Sequence, residues 1–342
     1  MTNNVQTKAK EQLTNEEISA KFNGGRKVID FVGHKKIFFG ISLAIILIGI
    51  ICNFIFGTTL DIQFSGGATL KFSYVGDLDQ NELYDFIQEK TTDRITTTFS
   101  ADLMGSTGNN VSVQFSGNDA ISTDIQENLE KDLQAEYPDN EFTILESSSV
   151  DAAMGFKFLL KCITAVAIAS VLMVLYVTFR FKKIGGLSAG VMALVALFHD
   201  VAMIYFLYVI FRMPIDSNFI AVVLMILGYS LNDTIVIYDR VREEKKILGR
   251  RATTAQTFNL SCTKSLKRTI MTSVTTLSAI LVVYIVAVVF NISSVKGFAL
   301  PMMIGLISGC YSSICIAGSL WVVWQNRKAA KKAAAKAEKA AK

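Results

Sequence analysis

One acidic side chain lies inside a run of apolar residues, where a charge is costly. The segment 228–234 (GYSLNDT) places Asp233 among apolar neighbours, with Tyr229 four residues earlier on the same helical face. An ionisable group in a bilayer costs at least about 2.5 kcal/mol, so such a residue marks function more often than structure. Asp233 is our first candidate for a proton-transfer site. The alternative is a structural hydrogen bond between helices.

A basic side chain and a row of hydroxyls open the next apolar run. Arg268 is followed by hydroxyl residues at helical offsets of one, four, five and eight. A carboxylate and a guanidinium on neighbouring helices are the parts of a proton-responsive switch, because the proton affinity of a buried acid depends on nearby charge. The alternative for Arg268 is an ordinary basic flank at the membrane boundary. The predicted polar stripe comprises Tyr229, Asn232, Thr269, Thr272, Ser273 and Thr276.

Two further groups of polar or small residues lie in the remaining apolar runs. His199 and Asp200 are near the middle of one run, and we predict them as auxiliary members of the proton relay. The alternative is a neutral His199 that bonds to a neighbouring helix. Small residues that recur at helical spacing in the last run predict close helix packing. These are Gly305, Gly309, Ser312 and Ser313.

Other kinds of site have little support in the sequence. The chain has two histidines and five cysteines, and it lacks C-x-x-C and H-E-x-x-H spacing. We therefore predict no metal, no cofactor, no disulfide framework and no nucleic-acid partner. An intramembrane aspartyl protease is one alternative, since Tyr238-Asp239 matches half of such a pattern. The second half, Gly-x-Gly-Asp, is absent, so we predict a protein that is not an enzyme.

The composition indicates a membrane protein, with 51% hydrophobic residues, 18% charged residues and three prolines. A run of about 20 apolar residues is long enough to cross the hydrocarbon layer as a helix. Six such runs predict transmembrane helices, and we expect the first to stay as an anchor rather than be cleaved as a signal peptide. The runs are 37–56, 157–179, 185–211, 216–238, 269–290 and 297–324.

The distribution of Lys and Arg predicts the orientation, because basic flanks stay in the cytoplasm. We expect a cytoplasmic tail over 1–36, a cytoplasmic loop over 239–268 and a basic cytoplasmic tail over 325–342. The acidic segment 57–156 then faces outward, between the helix 37–56 and the five helices of 157–324. This predicts a multi-pass protein of the cytoplasmic (inner) membrane, with both termini inside and basic residues near membrane lipids.

The external segment alternates between strand and helix periodicities. Strands are predicted at 67–74, 94–100, 111–115 and 141–149, and helices at 80–90 and 121–136. The order β-α-β-β-α-β predicts an α+β ferredoxin-like domain, in which two helices cover one face of a four-stranded antiparallel sheet. The open face can receive a partner or an extended peptide, or the domain can be a spacer.

Several segments resemble the SecF family. They are 228–243 (GYSLNDTIVIYDRVRE), 265–269 (SLKRT), 272–273, 275–276, 311–314 (YSSI) with Ala317, and His199-Asp200. The external turn at Phe64-Ser65-Gly66-Gly67 is also similar, and its Gly66 and Gly67 allow backbone conformations closed to other residues. The family often has an acid directly before that Phe. Here Gln63 takes the position, and Asp61 comes two residues earlier.

The resemblance implies a function. SecF proteins pair with SecD and use the proton gradient to help pull exported, unfolded polypeptides outward through SecY-based channels. Asp233 and Arg268 match the family positions linked to proton transfer. The bundle resembles half of a proton-driven exporter of the resistance-nodulation-division (RND) type, so the alternative is a half-unit of a small-molecule or lipid exporter. The short external segment argues against that alternative.

Overall fold

The computed structural model describes residues 13–91, 94–100, 109–116, 123–290 and 292–341. Within them, six helices are long and apolar enough to cross a membrane, which confirms the predicted number. The chain begins with α1 (Asn15–Phe22) and the first span, α2 (Lys35–Phe56). The spans after the external domain are α6 (Ala152–Arg180), α7 (Gly186–Ile210), α8 (Ser217–Leu248), α9 (Thr254–Val289), and α10 (Ser293–Tyr311), which continues through a π-helical segment (Ser312–Ala317) into α11 (Gly318–Ala341).

The external domain lies between α2 and α6. Its elements are a one-turn helix α3 (Ile62–Ser65), β1 (Gly67–Tyr74), α4 (Gln80–Lys90), β2 (Arg94–Ser100), β3 (Asn109–Ser116), α5 (Thr123–Glu136) and β4 (Thr143–Val150). All strand pairs are antiparallel, in the spatial order β2-β3-β1-β4. This confirms the ferredoxin-like fold. The start of the predicted helix 121–136 lies outside the described residues.

Strand alternation explains how this domain is built. Leu70, Phe72 and Val113 point to one face of the sheet, where they are fully buried with Leu83 of α4 and Leu133 of α5. The opposite face carries polar residues and lines a cavity of about 490 Å³. That cavity extends to residues of the membrane helices, so the open face of the sheet looks toward the bundle.

The segment 239–268, predicted as a loop, is largely helical. α8 continues to Leu248 and α9 starts at Thr254, whose preceding residue Thr253 forms a capping box with Gln256. Hydropathy marks where a helix leaves the apolar layer, but backbone hydrogen bonding continues as long as the residues favour helix. The basic tail is helical for the same reason, because α11 is rich in Ala and Lys up to Ala341.

The N-terminal segment packs along the extended ends of α8 and α9. Ile18 of α1 is buried against Leu248 and Leu260. The side-chain oxygen of Asn259 accepts hydrogen bonds from the backbone N–H groups of Phe31 (3.1 Å) and Val32 (3.2 Å). These contacts fix the predicted tail 1–36 to the bundle from residue 13 onward.

Candidate functional site

Asp233 is buried in the bundle at 2% exposure. It lies on α8, whose Ile226, Ser230 and Ile237 are buried on the same side. Its Oδ2 atom has no hydrogen-bond partner among the described residues. A buried carboxylate oxygen with no donor is costly, and native proteins have few such groups. Oε2 of Glu244 is likewise unpartnered, but Oε1 of Glu244 forms ion pairs with Arg240 and Lys264.

Arg268 lies within electrostatic reach of Asp233 but does not contact it. The two form no ion pair at 4.0 Å or less, and the Arg268 side chain is exposed on α9. The predicted pair is therefore brought to the same region as two separated charges. A modest movement of α9 against α8 would change the distance between them, and with it the field at the carboxylate.

The members of the predicted polar stripe have different partners. Tyr229 donates from Oη to Oγ1 of Thr276 at 3.4 Å, joining α8 to α9. Thr272 bonds to the carbonyl of Arg268 in its own helix at 2.9 Å, and Thr276 bonds in the same way to Thr272. Thr269 is 1% exposed, and its Oγ1 has no partner. Ser273 faces Cys310 of α10, which also lies near Asp233.

Asn232, the remaining member of the predicted stripe, is exposed, as are Met225 and Gly228 at the preceding helical positions on the same face of α8. The Arg268 side chain on α9 is exposed as well. The grouping of Asn232 with the stripe therefore stays a prediction, and it concerns the exposed sides of these two helices.

Asp200 is the best-satisfied carboxylate of the bundle. It is fully buried on α7 and accepts hydroxyl hydrogen bonds from Ser230 of α8 (2.8 Å), Ser308 of α10 (2.7 Å) and Ser312 of the π-helical segment (2.7 Å). His199 lies beside it, with Nδ1 at 3.3 Å from Oδ1. Asp200 therefore joins three elements at one point, which stabilises their packing.

A chain of hydroxyls extends from Asp200 along α8. Ser313 donates to the carbonyl oxygen of Ser230 at 3.0 Å and accepts from Thr234 at 3.0 Å. Ser230, Ser313 and Thr234 are at most 2% exposed. Thr234 follows Asp233 directly in the sequence, so the hydroxyl chain that starts at Asp200 ends at the residue next to Asp233 on α8.

Two glycines and the π-helical segment make this close contact possible. A Cβ atom at Gly305 would lie 2.7 Å from Cγ1 of Ile226, and one at Gly309 would lie 3.1 Å from Cβ of Ser230. Both glycines therefore let α10 approach α8. The π-helical turn that follows keeps Ser312 and Ser313 buried side by side, and such turns are frequent at functional sites.

His199 connects this cluster to the first span. Its ring centroid is 6.0 Å from that of Tyr311, and its Nε2 atom is buried without a partner. The Tyr311 hydroxyl donates to the carbonyl of Phe38 in α2 at 2.7 Å and lies 3.1 Å from Oγ of Ser42. The imidazole is therefore adjacent to Asp200 and has one ring nitrogen available for another partner.

The external turn packs closely against α6, where Gly155 lies beside the backbone of Phe64 and Gly66. Gly66 and Gly67 have φ of 77° and 121°, and a Cβ on Gly67 would meet the carbonyl oxygen of Phe115. Asp61 caps α3 through the N–H of Gln63 at 2.9 Å and accepts from Nε2 of Gln114 at 2.9 Å. Asp61, which lies two residues before Gln63, thus has a structural partner in β3.

Sequence reasoning missed Ser230, Ser308 and Thr234 as site members. Ser308 and Ser312 are one helical turn apart, a spacing that places two hydroxyls on one face. Their shared acceptor lies on another helix, so that spacing alone indicates packing and does not identify Asp200 as the partner.

Comparison with known proteins gives a consistent family. Residues 129–327 match the model described as protein export membrane protein SecD/SecF, C-terminal. The chain is 32% identical to the protein translocase subunit SecF of Borreliella burgdorferi, with 86% of this chain and 97% of that protein covered. It is 30% identical to the protein translocase subunit SecDF of Bacillus subtilis, with 89% of this chain but 39% of that protein covered.

A solved structure supports the same assignment. The crystal structure of SecDF from Thermus thermophilus superposes with a TM-score of 0.74 at 28% identity, covering 91% of this chain and 41% of that one. This chain thus spans nearly the whole SecF relative and well under half of the SecDF relatives, in which a SecD part is joined to a SecF part. With six apolar helices and these matches, it is a multi-pass membrane protein that belongs to the SecD/SecF family of protein export membrane proteins.

Proposed function

We propose that this chain works with a SecD partner to couple the proton gradient to protein translocation across the cytoplasmic membrane. The observation that supports this most directly is the buried, unpartnered Oδ2 atom of Asp233. An acid whose oxygen has no fixed donor can accept a proton without first breaking a hydrogen bond. Asp200 differs, because its oxygens are already occupied by three serine hydroxyls.

The energies involved fit such a role. A proton moving through the membrane potential releases about 2.3 kcal/mol per 100 mV. Two packings of a helical bundle that differ by a few kcal/mol can be interconverted by that amount. Protonation of Asp233 would remove its attraction for Arg268, so the preferred position of α9 relative to α8 would change with each proton.

The structure offers a path from this site to the external domain. The N–H of Ile215 donates to the carbonyl of Thr59 at 2.9 Å, and the N–H of Asp61 donates to the carbonyl of Ile215 at 3.0 Å. Ile215 lies two residues before the start of α8, which carries Asp233. A shift of α8 would therefore pull directly on the segment that leads into the external domain.

An exposed face of α8 supports the SecD partnership. Gly228 has open space within 4 Å of its Cβ position, and Asn232 and Arg268 present polar groups on the exposed sides of α8 and α9. Polar groups facing lipid are costly, so another membrane protein is the favourable neighbour for this face. The SecD-containing relatives indicate which partner supplies it.

The remaining partners are proposed on physical grounds. β4 is an edge strand in the order β2-β3-β1-β4, and most of its residues are exposed. Such an edge can add an extended, unfolded polypeptide as a further strand. We place this edge outside, near a SecY-based channel, with both termini in the cytoplasm. This follows the positive flanks of the spans.

Two alternatives fit less well. An aspartyl protease needs two carboxylates that share a proton, whereas the oxygens of Asp200 bond to Ser230, Ser308 and Ser312. The relatives reported above are translocase subunits, which favours a role without catalysis. The same names favour protein export over the half-unit of an RND-type small-molecule or lipid exporter.

The test is export into membrane vesicles that contain the channel, SecD and this chain. Asp233→Asn keeps the shape of the side chain but cannot titrate. We expect normal membrane levels and the loss of stimulation by the proton gradient. Asp239→Asn is the matched control, because it makes the same substitution on the same helix, at a carboxylate that forms ion pairs with Arg180 and Arg242. Stimulation that survives in Asp233→Asn would refute the proposal.

A further inference from the structure

A basic pocket lies where α11 leaves the bundle. Its volume is about 630 Å³. Apolar side chains line one part of it, namely Met192, Leu320, Val323 and Trp324. The next turns of α11 add four basic side chains to the lining, namely Arg327, Lys328, Lys331 and Lys332. A cavity lined by both apolar and cationic side chains fits a molecule that has both a hydrocarbon part and an anionic part.

A second cavity, of about 490 Å³, adjoins the first. The two share Trp324 and Lys328, and the second adds Lys182 and the turn between α6 and α7. Gln325 holds α11 against this turn, since its Nε2 donates to the carbonyl of Ile184 at 3.0 Å and lies 2.8 Å from Oγ of Ser188. These two contacts fix α11 against the turn that lines the second cavity.

The site lies at the depth of a membrane surface. α6 ends at Arg180 and α7 begins at Gly186, so the turn between them marks the ends of two spans. Phe179 and Leu187, on either side of this turn, are 63% and 65% exposed and suit contact with lipid. Trp324 is 44% exposed, and tryptophan is enriched at this level of membrane proteins.

Among the residues that the structure describes, no acidic side chain lines either cavity. Each Lys or Arg near an anionic membrane surface contributes about 1 kcal/mol of attraction. We infer that the two cavities form a binding site for one anionic phospholipid. Its phosphate lies among Lys182, Lys328 and Lys331, and an acyl chain lies against Leu320 and Trp324.

Tryptophan fluorescence provides a direct test. The chain has two tryptophans, and Trp321 is buried at 1% exposure, so quenching by lipid reports on Trp324. The full chain is placed in nanodiscs of phosphatidylcholine that contain a small fraction of brominated lipid. We expect brominated phosphatidylglycerol to quench several-fold more strongly than brominated phosphatidylcholine. Equal quenching by the two lipids would overturn the inference.

Charge variants separate this site from the general charge of the tail. Lys328→Gln with Lys331→Gln is expected to abolish the preference for phosphatidylglycerol. Lys336→Gln with Lys339→Gln removes the same charge from the same helix at positions that do not line the cavities, and the preference should remain. Equal losses in both double variants would indicate a diffuse surface effect and contradict a defined site. Displacement by millimolar inorganic phosphate would contradict a lipid ligand.

Discussion

At the residue scale, the two membrane carboxylates have opposite surroundings. Asp200 accepts from three serine hydroxyls, whereas Oδ2 of Asp233 accepts from none. Hydropathy reveals both acids, because each interrupts an apolar run. It does not distinguish them, since the serines that bond to Asp200 come from two other helices. Sequence reasoning selected Asp233 as the main candidate. It could not identify the structural role of Asp200, because the hydrogen-bond donors are far from Asp200 in the sequence.

Ser312→Ala tests that structural role. It leaves Oδ2 of Asp200 with Ser230 as its remaining hydroxyl donor. Polar contacts between membrane helices contribute about 0.6 to 1.7 kcal/mol, so we expect a loss of about 1 kcal/mol and a lower unfolding temperature in detergent. Ser278→Ala is the control, because the exposed Ser278 hydroxyl bonds to its own helix. Equal stability of the two variants would count against the cluster.

At the scale of elements, local periodicity predicted the bounds of strands and helices more closely than hydropathy did. The predicted strands 67–74 and 94–100 and the helix 80–90 have the observed bounds, because side chains alternate between a buried and an exposed face. The predicted spans 216–238 and 269–290 cover only parts of α8 and α9, because α8 continues to Leu248 and α9 begins at Thr254. Apolar character stops at the membrane surface, but the capping box at Thr253 and Gln256 places the start of α9 well beyond it.

Close packing between α10 and α8 can be tested by adding a methyl group at a glycine in their contact. Gly305→Ala would place a methyl group 2.7 Å from Cγ1 of Ile226. Overpacking of this kind costs about 1 to 3 kcal/mol, so we expect a lower unfolding temperature. Gly228→Ala is a matched control on α8, where the added methyl group meets open space within 4 Å. If the two variants unfold at the same temperature, the helices do not pack as described.

At the scale of the whole molecule, the short backbone link at Ile215 joins the bundle to the external domain. An isolated bridge pairs Leu60 with Ile215, just before α8 begins. The sequence predicted both domains but not this link, because the two bridged residues are far apart in the chain and a single bridge has no periodicity. The link explains how movement of one membrane helix can reach the outer surface.

Ile215→Pro should uncouple the two parts. Proline lacks the N–H that donates to Thr59, so one of the two backbone hydrogen bonds at Ile215 is lost. We expect normal membrane levels but a several-fold smaller gradient-dependent stimulation of export in vesicles. Ile215→Val keeps the N–H and should export normally. Full stimulation in the proline variant would show that force does not pass through this link.

The most direct measurement of proton uptake by Asp233 is infrared difference spectroscopy of the protein in bilayers across a pH jump. We expect a carboxyl C=O band that shifts in D₂O, disappears in Asp233→Asn and remains in Asp239→Asn, which removes an ion-paired carboxylate from the same helix. Loss of the band in Asp233→Asn would assign the titrating group to Asp233, whose Oδ2 atom is unpartnered among the described residues. A band that keeps its full amplitude in Asp233→Asn would contradict a proton-coupled role for this residue.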